Sequence, residues 1–300
     1  MKILVTGASG KVGEAVAHEF LDAGYEVRIL DITPPEAELQ KRCEVVYCDL
    51  QDRIGLLRVV DGCDAVAHLA AIPNPMHGSD LTLFGPNVLG TQYLLAAAEA
   101  FGIKKFALAS SVSIYGFPFQ LNHGEGKLIP NYLPMDINHP FISQDVYALS
   151  KECNEATAAM YTRRTGMATT CLRLTMVVNF ARRQRWVLHQ IQQAANWGSS
   201  DLWAYVERRD VASAFRLAIE KVESGHHRLL ITAQDLLADV EDGRELIRKH
   251  YPKLESFLDN GFDYDKYGFW DSRPAKELLG WESKYHWRDY VTAEDESTKK

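Results

Sequence analysis

The fold of this chain is decided near its start, by the stretch KILVTGASGKVG at residues 2–13. Residues 2–6 form an uninterrupted apolar run with β-branched side chains, which predicts a buried strand. Residues 11–23 then carry apolar side chains at helical spacing. Between them, Gly7 permits a tight turn, Gly10 a close approach of a pyrophosphate and Gly13 close helix packing. The N–H groups at the helix start, around Lys11 and Val12, are expected to face the phosphates.

The same alternation of strand and helix continues to residue 175. Apolar strands without polar alternation are predicted at residues 2–6, 26–30, 44–48, 64–70, 105–110 and 168–174. The clearest helices are predicted at residues 11–23, 82–101 and 144–165. Such strands are buried on both faces, so we expect a doubly wound α/β fold with a parallel sheet.

The pattern loosens after residue 175. Helices are predicted at 180–196, 210–222 and 274–279, and short strands at 202–206 and 228–232. We therefore expect a dinucleotide-binding domain at 1–175 and a small α/β substrate-binding region at 176–291 that packs on it. The polar, charged tail at 292–300 is expected to fray.

Composition excludes several classes of protein. The 300 residues are 46% apolar and 24% charged, with a net charge of −7, which argues against partners such as nucleic acid or an anionic membrane. No apolar run approaches the roughly 20 residues that span a bilayer, and residues 3–5 are too short for a signal peptide. The five cysteines are odd in number and scattered, which predicts reduced thiols in a cytoplasmic protein.

Two acidic positions are candidates for binding the adenosine half of a dinucleotide. Asp31 ends the second strand, eighteen positions after Gly13. A carboxylate there accepts hydrogen bonds from the ribose and repels a 2′-phosphate, so NAD is expected rather than NADP. Asp49 and Leu50 follow the third strand and are expected to flank the adenine. The alternatives are a solvated strand end for Asp31 and a loop cap for Asp49.

The motif Tyr147-Ala148-Leu149-Ser150-Lys151 is the strongest candidate for chemistry. A Tyr and a Lys four residues apart share one helix face. The ammonium and an oxidised nicotinamide are both expected to favour the phenolate and to bring the pKa of Tyr147 to roughly 7, where general acid–base catalysis is efficient. Ser111 ends the fifth strand and is expected to hydrogen-bond the substrate oxygen. An exposed helix pair and a turn-capping serine are the alternatives.

Taken together, these motifs resemble the extended short-chain dehydrogenase/reductases, the NAD-dependent epimerase/dehydratase family. The likeness runs over nearly the whole chain. Its segments are 6–13 (TGASGKVG), Asp31, 64–71 (DAVAHLAA), 87–91 (NVLGT), 110–116 (SSVSIYG), 147–151 (YALSK), 205–212 (YVERRDVA) and 272–281 (SRPAKELLGW). The resemblance implies a Rossmann fold, NAD as cofactor and an oxidoreductase.

The resemblance also implies roles for individual residues. Ser111, Tyr147 and Lys151 would be the catalytic residues, with Tyr147 removing the hydroxyl proton while hydride passes to the nicotinamide. Lys151 would in addition hold the nicotinamide ribose. The cofactor would be held by Gly7, Gly10, Lys11, Val12, Gly13, Asp31, Asp49, Leu50, Leu69, Ala70, Ala71, Asn87, Tyr147 and Lys151. A homodimer would form through the Ala-rich helices at 91–100 and 155–160.

One departure from the family pattern bears on the substrate. Many members that act on nucleotide sugars carry an Asn three residues after the Arg of Leu172-Arg173-Leu174, whereas this chain has Met176. A thioether makes no sugar-diphosphate contact, which favours a smaller sugar, sugar acid or other secondary alcohol. A nucleotide-sugar 4-epimerase or dehydratase remains the alternative. A protein that senses NAD without turnover is the alternative of another class.

No metal site is expected. The histidines show no ligand spacing, His68 is predicted to be a core residue and His77 to border the substrate. Arg173 is expected to form a structural ion pair.

Overall fold

The computed structural model describes residues 1–117, 128–182, 185–196 and 198–290. Its nine strands are β1 Lys2–Thr6, β2 Glu26–Asp31, β3 Glu44–Tyr47, β4 Ala65–His68, β5 Lys105–Ser111, β6 Ala168–Leu174, β7 Met176–Val178, β8 Tyr205–Glu207 and β9 His226–Ile231. Seven of them form a parallel sheet in the order β3-β2-β1-β4-β5-β6-β9, and β7 pairs with β8 in a second parallel sheet. The chain order reverses between β1 and β4, which is the point where open α/β folds bind ligands.

Helices cover both faces of the large sheet. They are α1 Lys11–Asp22, α2 Ala37–Arg42, α3 Arg53–Val60, α4 Asp80–Phe84, α5 Gly90–Ala100, α6 Val146–Thr165, α7 Arg185–Gln193, α8 Arg208–Lys221, α9 Gly243–His250, α10 Tyr264–Tyr267 and α11 Arg273–Leu279. On one face Phe20 of α1 packs with Phe215 of α8. On the other face Leu56 of α3, Leu94 of α5 and Tyr161 of α6 share a core. The predicted doubly wound fold is confirmed.

The central strands form because their side chains are mostly apolar and nearly all buried. Ile3, Leu4 and Val5 of β1 are fully buried, and all seven residues of β6 are buried. Burial on both faces removes each strand from water, so the strands stack in parallel with their carboxyl ends at one edge. That common edge is where the candidate residues meet.

The chain after residue 175 is not a separate unit. Strand β9 is the seventh strand of the large sheet, and α8 packs on α1. Trp281 donates its indole N–H to the Asp210 carbonyl of α8 at 2.9 Å, which fastens the C-terminal segment to that helix layer. The predicted boundary at 175 therefore cuts across the sheet, because β9 needs β6 as its hydrogen-bonding partner. The predicted tail at 292–300 lies outside the described residues.

Some predicted element bounds were wrong. The expected helix at 82–101 is α4 and α5 joined by a π-helical turn at Gly85–Leu89. Pro86 has no N–H and crowds the preceding turn, so the backbone widens there. The expected strand at 202–206 begins only at Tyr205, because Leu202 and Trp203 have φ angles of 56° and 57°. The expected helix at 180–196 is reduced to Arg185–Gln193, preceded by a 3₁₀ turn at Phe180–Arg182.

Candidate functional site

A cavity of about 1300 Å³ opens at the carboxyl edge of the parallel strands. Its first wall is the glycine loop with Asp31, Ile32, Thr33, Cys48, Asp49 and Leu50. Leu69, Ala70, Ala71, Ser111, Tyr147 and Lys151 line it next to the strand ends. Further lining residues from the later part of the chain are Thr175, Met176, Val177, Gln190, Ala194, Gly198, Ser199, Ser200, Asp201 and Trp203. A single cavity thus joins nearly all predicted site residues.

The glycine loop is shaped by close backbone contacts. Gly7 has φ of +73°, and a Cβ there would lie 2.6 Å from the Ala70 nitrogen. A Cβ on Gly13 would lie 2.0 Å from the Gly7 carbonyl oxygen, so α1 can approach the loop only without a side chain. Gly10 is the N-cap of α1 and makes no side-chain cap hydrogen bond. The N-terminus of α1 therefore presents backbone N–H groups and the positive end of its dipole to the cavity, which suits a phosphate.

Asp31 ties the glycine loop to the end of β2. Its carboxylate accepts hydrogen bonds from the backbone N–H of Ser9 at 2.9 Å and of Thr33 at 3.0 Å. The Ser9 hydroxyl in turn donates to the Thr33 carbonyl at 2.7 Å. The side chain is half-buried at the cavity wall, and Oδ1 also accepts from the Ile32 N–H and the Thr33 hydroxyl, so the carboxylate is held in a defined place with Oδ2 the less occupied oxygen.

The loop after β4 is held against β1 by a buried polar chain. The Thr6 hydroxyl oxygen accepts from the backbone N–H groups of Leu69 and Ala70, both at 3.1 Å. His68 joins Thr6 at 2.7 Å and Thr91 at 2.9 Å through its two ring nitrogens. Burial lowers the pKa of His68 to about 3, so the ring stays neutral. The prediction that His68 is a core residue is confirmed.

Asn87 lies beneath the cavity and links two parts of its wall. It is fully buried, and its amide pairs with both backbone groups of Ile72, at 2.8 and 3.1 Å. Its NH₂ group also donates to the Ser150 hydroxyl at 3.2 Å. Asn87 therefore connects a loop of the cavity wall to α6. Contact between Asn87 and a cofactor stays a prediction.

Helix α6 and strand β5 bring the predicted catalytic residues together. Asp145 caps α6 by accepting from the Ala148 N–H at 2.8 Å, which sets the start of the helix just before Tyr147. Tyr147 and Ser111 share a side-chain hydrogen bond. Ser111 accepts from the Ser113 N–H at 3.1 Å and the Ser113 hydroxyl at 2.9 Å. Both lone pairs of Ser111 are thus occupied, and its own proton is directed to another acceptor.

Lys151 lies on the same helix face as Tyr147, next to its ring. Its Nζ donates to the Ala109 carbonyl at 2.8 Å and lies 5.5 Å from the centroid of the Tyr147 ring. Burial lowers the pKa of Lys151 to about 8. An ammonium has three N–H donors, so Lys151 can serve a further acceptor besides Ala109.

The expected pKa of Tyr147 is not produced by the chain alone. Burial raises the pKa of the phenol to about 12, and the hydrogen bond with Ser111 offsets only part of that effect. The Lys151 ammonium sits beside the ring rather than on the phenol oxygen, so it does not compensate for the loss of water. The expected value near 7 includes the positive charge of an oxidised nicotinamide, so it stays a prediction.

A buried ion pair lies beneath the site, and the sequence predicted only one of its two members, Arg173. Glu155, one helical turn beyond Lys151, accepts two hydrogen bonds from Arg173 of β6, at 2.7 and 2.9 Å. Ser110 donates to the same carboxylate at 2.6 Å. Arg173 is fully buried, which confirms the expected structural ion pair. The spacing of Tyr147, Lys151 and Glu155 at intervals of four is the signal that could have identified Glu155 as facing the sheet.

Metal ligation has one candidate cluster among the described residues, and it lies away from the cavity. His18, Glu36 and Glu38 bring their ligand atoms within 4.8 Å of one another, on or near the surface. His18 and Glu36 pair directly, and Glu38 pairs with Arg42 at 3.1 Å. These pairings satisfy the cluster without an ion. The absence of a metal requirement stays a prediction.

Comparison with known proteins adds relatives for part of the chain. A uronate dehydrogenase from Pseudomonas putida is 28% identical over 173 residues, covering 58% of this chain and 60% of that protein. A putative UDP-glucose 4-epimerase from Methanocaldococcus jannaschii is 31% identical over 186 residues, covering 58% and 55%. The matched stretch spans less than two thirds of the length of these curated relatives.

Solved structures match over the full length. A short-chain dehydrogenase/reductase superfamily protein from Agrobacterium tumefaciens, solved with bound NAD, has a TM-score of 0.71 at 22% identity and covers 100% of this chain and 97% of its own. UDP-glucose 4-epimerase from Thermotoga maritima, solved with UDP-glucose, has a TM-score of 0.71 at 21% identity and covers 99% of both chains. These likenesses show the fold.

Family membership rests on a match that spans the glycine loop, helix α6 and strand β9. The model of the NAD dependent epimerase/dehydratase family matches residues 3–231. That span includes every predicted site residue, from Gly7 to Lys151. The chain belongs to the NAD-dependent epimerase/dehydratase family.

Proposed function

We propose that this chain is an NAD-dependent oxidoreductase that acts on a secondary hydroxyl of a sugar-like substrate. One observation carries the proposal: a single cavity is lined both by the glycine loop with Asp31 and by Ser111, Tyr147 and Lys151. The residues fit the cofactor, because the N-terminus of α1 suits the pyrophosphate and the Asp31 carboxylate suits a ribose. NAD, when bound, supplies the hydride acceptor.

The chain supplies the proton chemistry and the placement. Tyr147 accepts the proton of the substrate hydroxyl through its phenol oxygen. Ser111 has both lone pairs occupied by Ser113, so its proton is available to the substrate oxygen or to the phenolate. Lys151, anchored to the Ala109 carbonyl, holds positive charge at the ring and would donate to the ribose hydroxyls of a bound cofactor. Burial raises the pKa of the phenol, and the positive charge of an oxidised cofactor would lower it and so favour the phenolate as base.

The later wall of the cavity favours a small substrate over a nucleotide sugar. Met176 and Val177 line it, and neither side chain can hydrogen-bond a diphosphate. A free sugar, sugar acid or other secondary alcohol is therefore the proposed substrate class. A nucleotide-sugar 4-epimerase or dehydratase is the second candidate, since one relative of the matched stretch is a putative UDP-glucose 4-epimerase.

A substrate screen tests the proposal. The chain is incubated with NAD and free aldoses, uronates and UDP-sugars, and absorbance of the reduced nicotinamide is followed. We expect net reduction of NAD with a free sugar or sugar acid. Interconversion of UDP-sugars without net reduction of NAD would support the second candidate. Binding of NAD without turnover of any class would support a sensing protein instead.

Asp31 is expected to select NAD over NADP. Replacing it with Asn removes the charge that repels a 2′-phosphate but keeps an oxygen for the Ser9 N–H. The ratio of the dissociation constants of NADP and NAD should then fall by about tenfold or more, as expected for the loss of a charged hydrogen-bond partner. Dissociation constants of both cofactors, measured by fluorescence of the reduced forms, check this. Asp22→Asn, an exposed carboxylate on α1, is the control, and an equal change in both variants would contradict the role of Asp31.

We also propose a homodimer, with a contact surface that differs in part from the Ala-rich helix faces predicted from the sequence. Ala97, Ala98 and Ala158 of the Ala-rich helices are buried in the chain's own core, whereas Ala100 and Ala156 are exposed and can meet a partner. Exposed Leu89 and Leu149, on two helical segments that pack together, also support a contact surface. Light scattering should give twice the chain mass, and Leu89→Glu should shift it toward the monomer. A monomeric mass for the unmodified chain at all concentrations would refute the dimer.

A cytoplasmic location is proposed from thiol chemistry. All five cysteines are free: Cys43, Cys48, Cys63, Cys153 and Cys171. Burial raises the pKa of each thiol, to about 11 in Cys43, so they are unreactive and suit a reducing compartment. Within the described part of the chain, the helices lack the length and apolar character needed to cross a bilayer.

A further inference from the structure

One wall of the cavity has no part in the chemistry described above. It is the turn at residues 198–203, between α7 and β8, which brings Ser199, Ser200, Asp201 and Trp203 to the cavity. Asp201 is the carboxylate of this wall. Its oxygen accepts a hydrogen bond from the Ser199 hydroxyl, so carboxylate and hydroxyl form one polar corner. Polar groups grouped at the wall of a large cavity are typical of ligand recognition.

Hydrogen bonds from later parts of the chain fix the backbone of this polar corner. Tyr251 donates its hydroxyl to the Ser199 carbonyl at 2.6 Å, and Trp270 donates its indole N–H to the Asp201 carbonyl at 2.9 Å. Leu202 and Trp203 both have φ near +57°, a conformation that non-glycine residues rarely adopt. Strain of this kind persists where the surroundings over-determine it, and it concentrates at functional sites.

Trp203 adds a second, independent sign of ligand binding. Its side chain is 4% exposed, lines the cavity and packs with Tyr251 and Phe269. Its indole N–H is buried and has no hydrogen-bond partner within the described residues. A buried donor without a partner costs free energy, so a small shift that let this N–H meet an acceptor on a bound ligand would be favourable.

The charges around the cavity point to a neutral ligand at this corner. Among the described lining residues, the lysines and arginines are Lys11 and Lys151 alone. Lys11 donates to the Val177 carbonyl at 3.2 Å beside the glycine loop, and Lys151 donates to Ala109. A carboxylate or phosphate at Asp201 would meet a like charge without a cation to offset it.

We propose that Asp201 binds hydroxyl groups of a neutral, polyhydroxylated substrate and excludes substrates that carry a carboxylate or phosphate at that end. The proposal rests on the proposed function and narrows it to a neutral sugar or polyol. Hydroxyl groups donate to the Asp201 carboxylate in charge-assisted hydrogen bonds, which are stronger than neutral ones. Burial raises the pKa of Asp201, and hydrogen bonds from the Ser199 hydroxyl and from the backbone N–H groups of Asp201 and Trp203 offset part of that effect.

Matched pairs of sugars test the proposal. D-galactose, D-glucose and D-mannose are each compared with their uronates, which differ only in a carboxylate at C6, by kcat/KM with NAD and by calorimetric binding to the chain with NADH. For the unmodified chain we expect the neutral sugar of the best pair to be preferred about tenfold or more. Asp201→Asn should lower kcat/KM and affinity for the neutral sugar by roughly 10- to 100-fold, so that the values for the neutral sugar and the uronate become similar.

The controls separate this proposal from the proposed function. NADH fluorescence shows whether the dinucleotide binds; if it does not, the proposed function fails independently of Asp201. Asp259→Asn, an exposed carboxylate away from the cavity, should change no sugar preference. Ser199→Ala should lower the affinity for the neutral sugar without raising the affinity for the uronate. This variant serves as the test if Asp201→Asn folds poorly. Three results would overturn the proposal. They are a preference of the unmodified chain for uronates, a folded Asp201→Asn variant with an unchanged ratio of kcat/KM between neutral sugar and uronate, and a chain that binds NADH but binds no neutral sugar.

Discussion

Tyr147→Phe is expected to lower kcat by about 100- to 10,000-fold, the usual contribution of a positioned general base. The phenol oxygen is the atom that accepts the substrate proton, and Phe keeps the ring in its place beside Lys151. The variant should retain its fold and its affinity for NAD, because Tyr147 meets the chain mainly through its ring and one hydrogen bond with Ser111. Turnover is measured by formation of reduced nicotinamide, and cofactor affinity by fluorescence.

A matched variant makes the result interpretable. Tyr25→Phe removes a phenol oxygen that donates to Glu220 at 3.0 Å, on the helix layer away from the cavity. Its turnover should equal that of the unmodified chain. Loss of activity in both variants would indicate general damage, and full activity of Tyr147→Phe would refute the role of the phenol as base.

Arg173→Met should destabilise the fold by about 3–5 kcal/mol, the range for breaking a buried ion pair by removing one partner. The Glu155 carboxylate would remain almost fully buried, with Ser110 as its remaining side-chain donor among those described above. The same guanidinium also donates to the Tyr115 hydroxyl at 2.7 Å and the Ile137 carbonyl at 3.0 Å. Unfolding in urea, followed by circular dichroism, measures the loss.

Two further variants test the cause. Arg173→Met combined with Glu155→Met removes both charges and should recover much of the stability, because apolar pairs replace buried ion pairs at little cost. Arg42→Met breaks exposed pairs with Asp22 and Glu38 and should change stability little. A double variant as unstable as the single one would show that packing around Arg173, not the uncompensated carboxylate, determines the loss.

The position of Glu155 also links stability to the site. Glu155 on α6 joins β6 through Arg173 and β5 through Ser110, the residue before Ser111. The ion pair therefore sets the distance between the helix that carries Tyr147 and the strand that carries Ser111. Partial loss of this pair should disturb the Tyr147–Ser111 hydrogen bond before the fold is lost.

Local sequence determined the strand-and-helix alternation, the glycine loop and the Tyr147–Lys151 pair. These features depend on the side-chain period and on steric limits within a few residues, as at Gly13, where a Cβ would meet the Gly7 carbonyl. The family likeness, the parallel sheet and Asp31 at the end of β2 follow from the same short-range patterns. The position of each was correctly predicted because it depends mainly on local side-chain pattern, while the roles of the site residues stay predictions.

Only the tertiary structure decided what distant segments do to one another. Burial raises the pKa of Tyr147 above its ordinary value because α6 packs on β5, a contact that no local motif reports. Strand β9 joins the large sheet from beyond residue 175, and Tyr251 and Trp270 hold Ser199 and Asp201 at the cavity from more than fifty residues away. Desolvation and long-range hydrogen bonds depend on which surfaces meet, and that is a property of the folded chain.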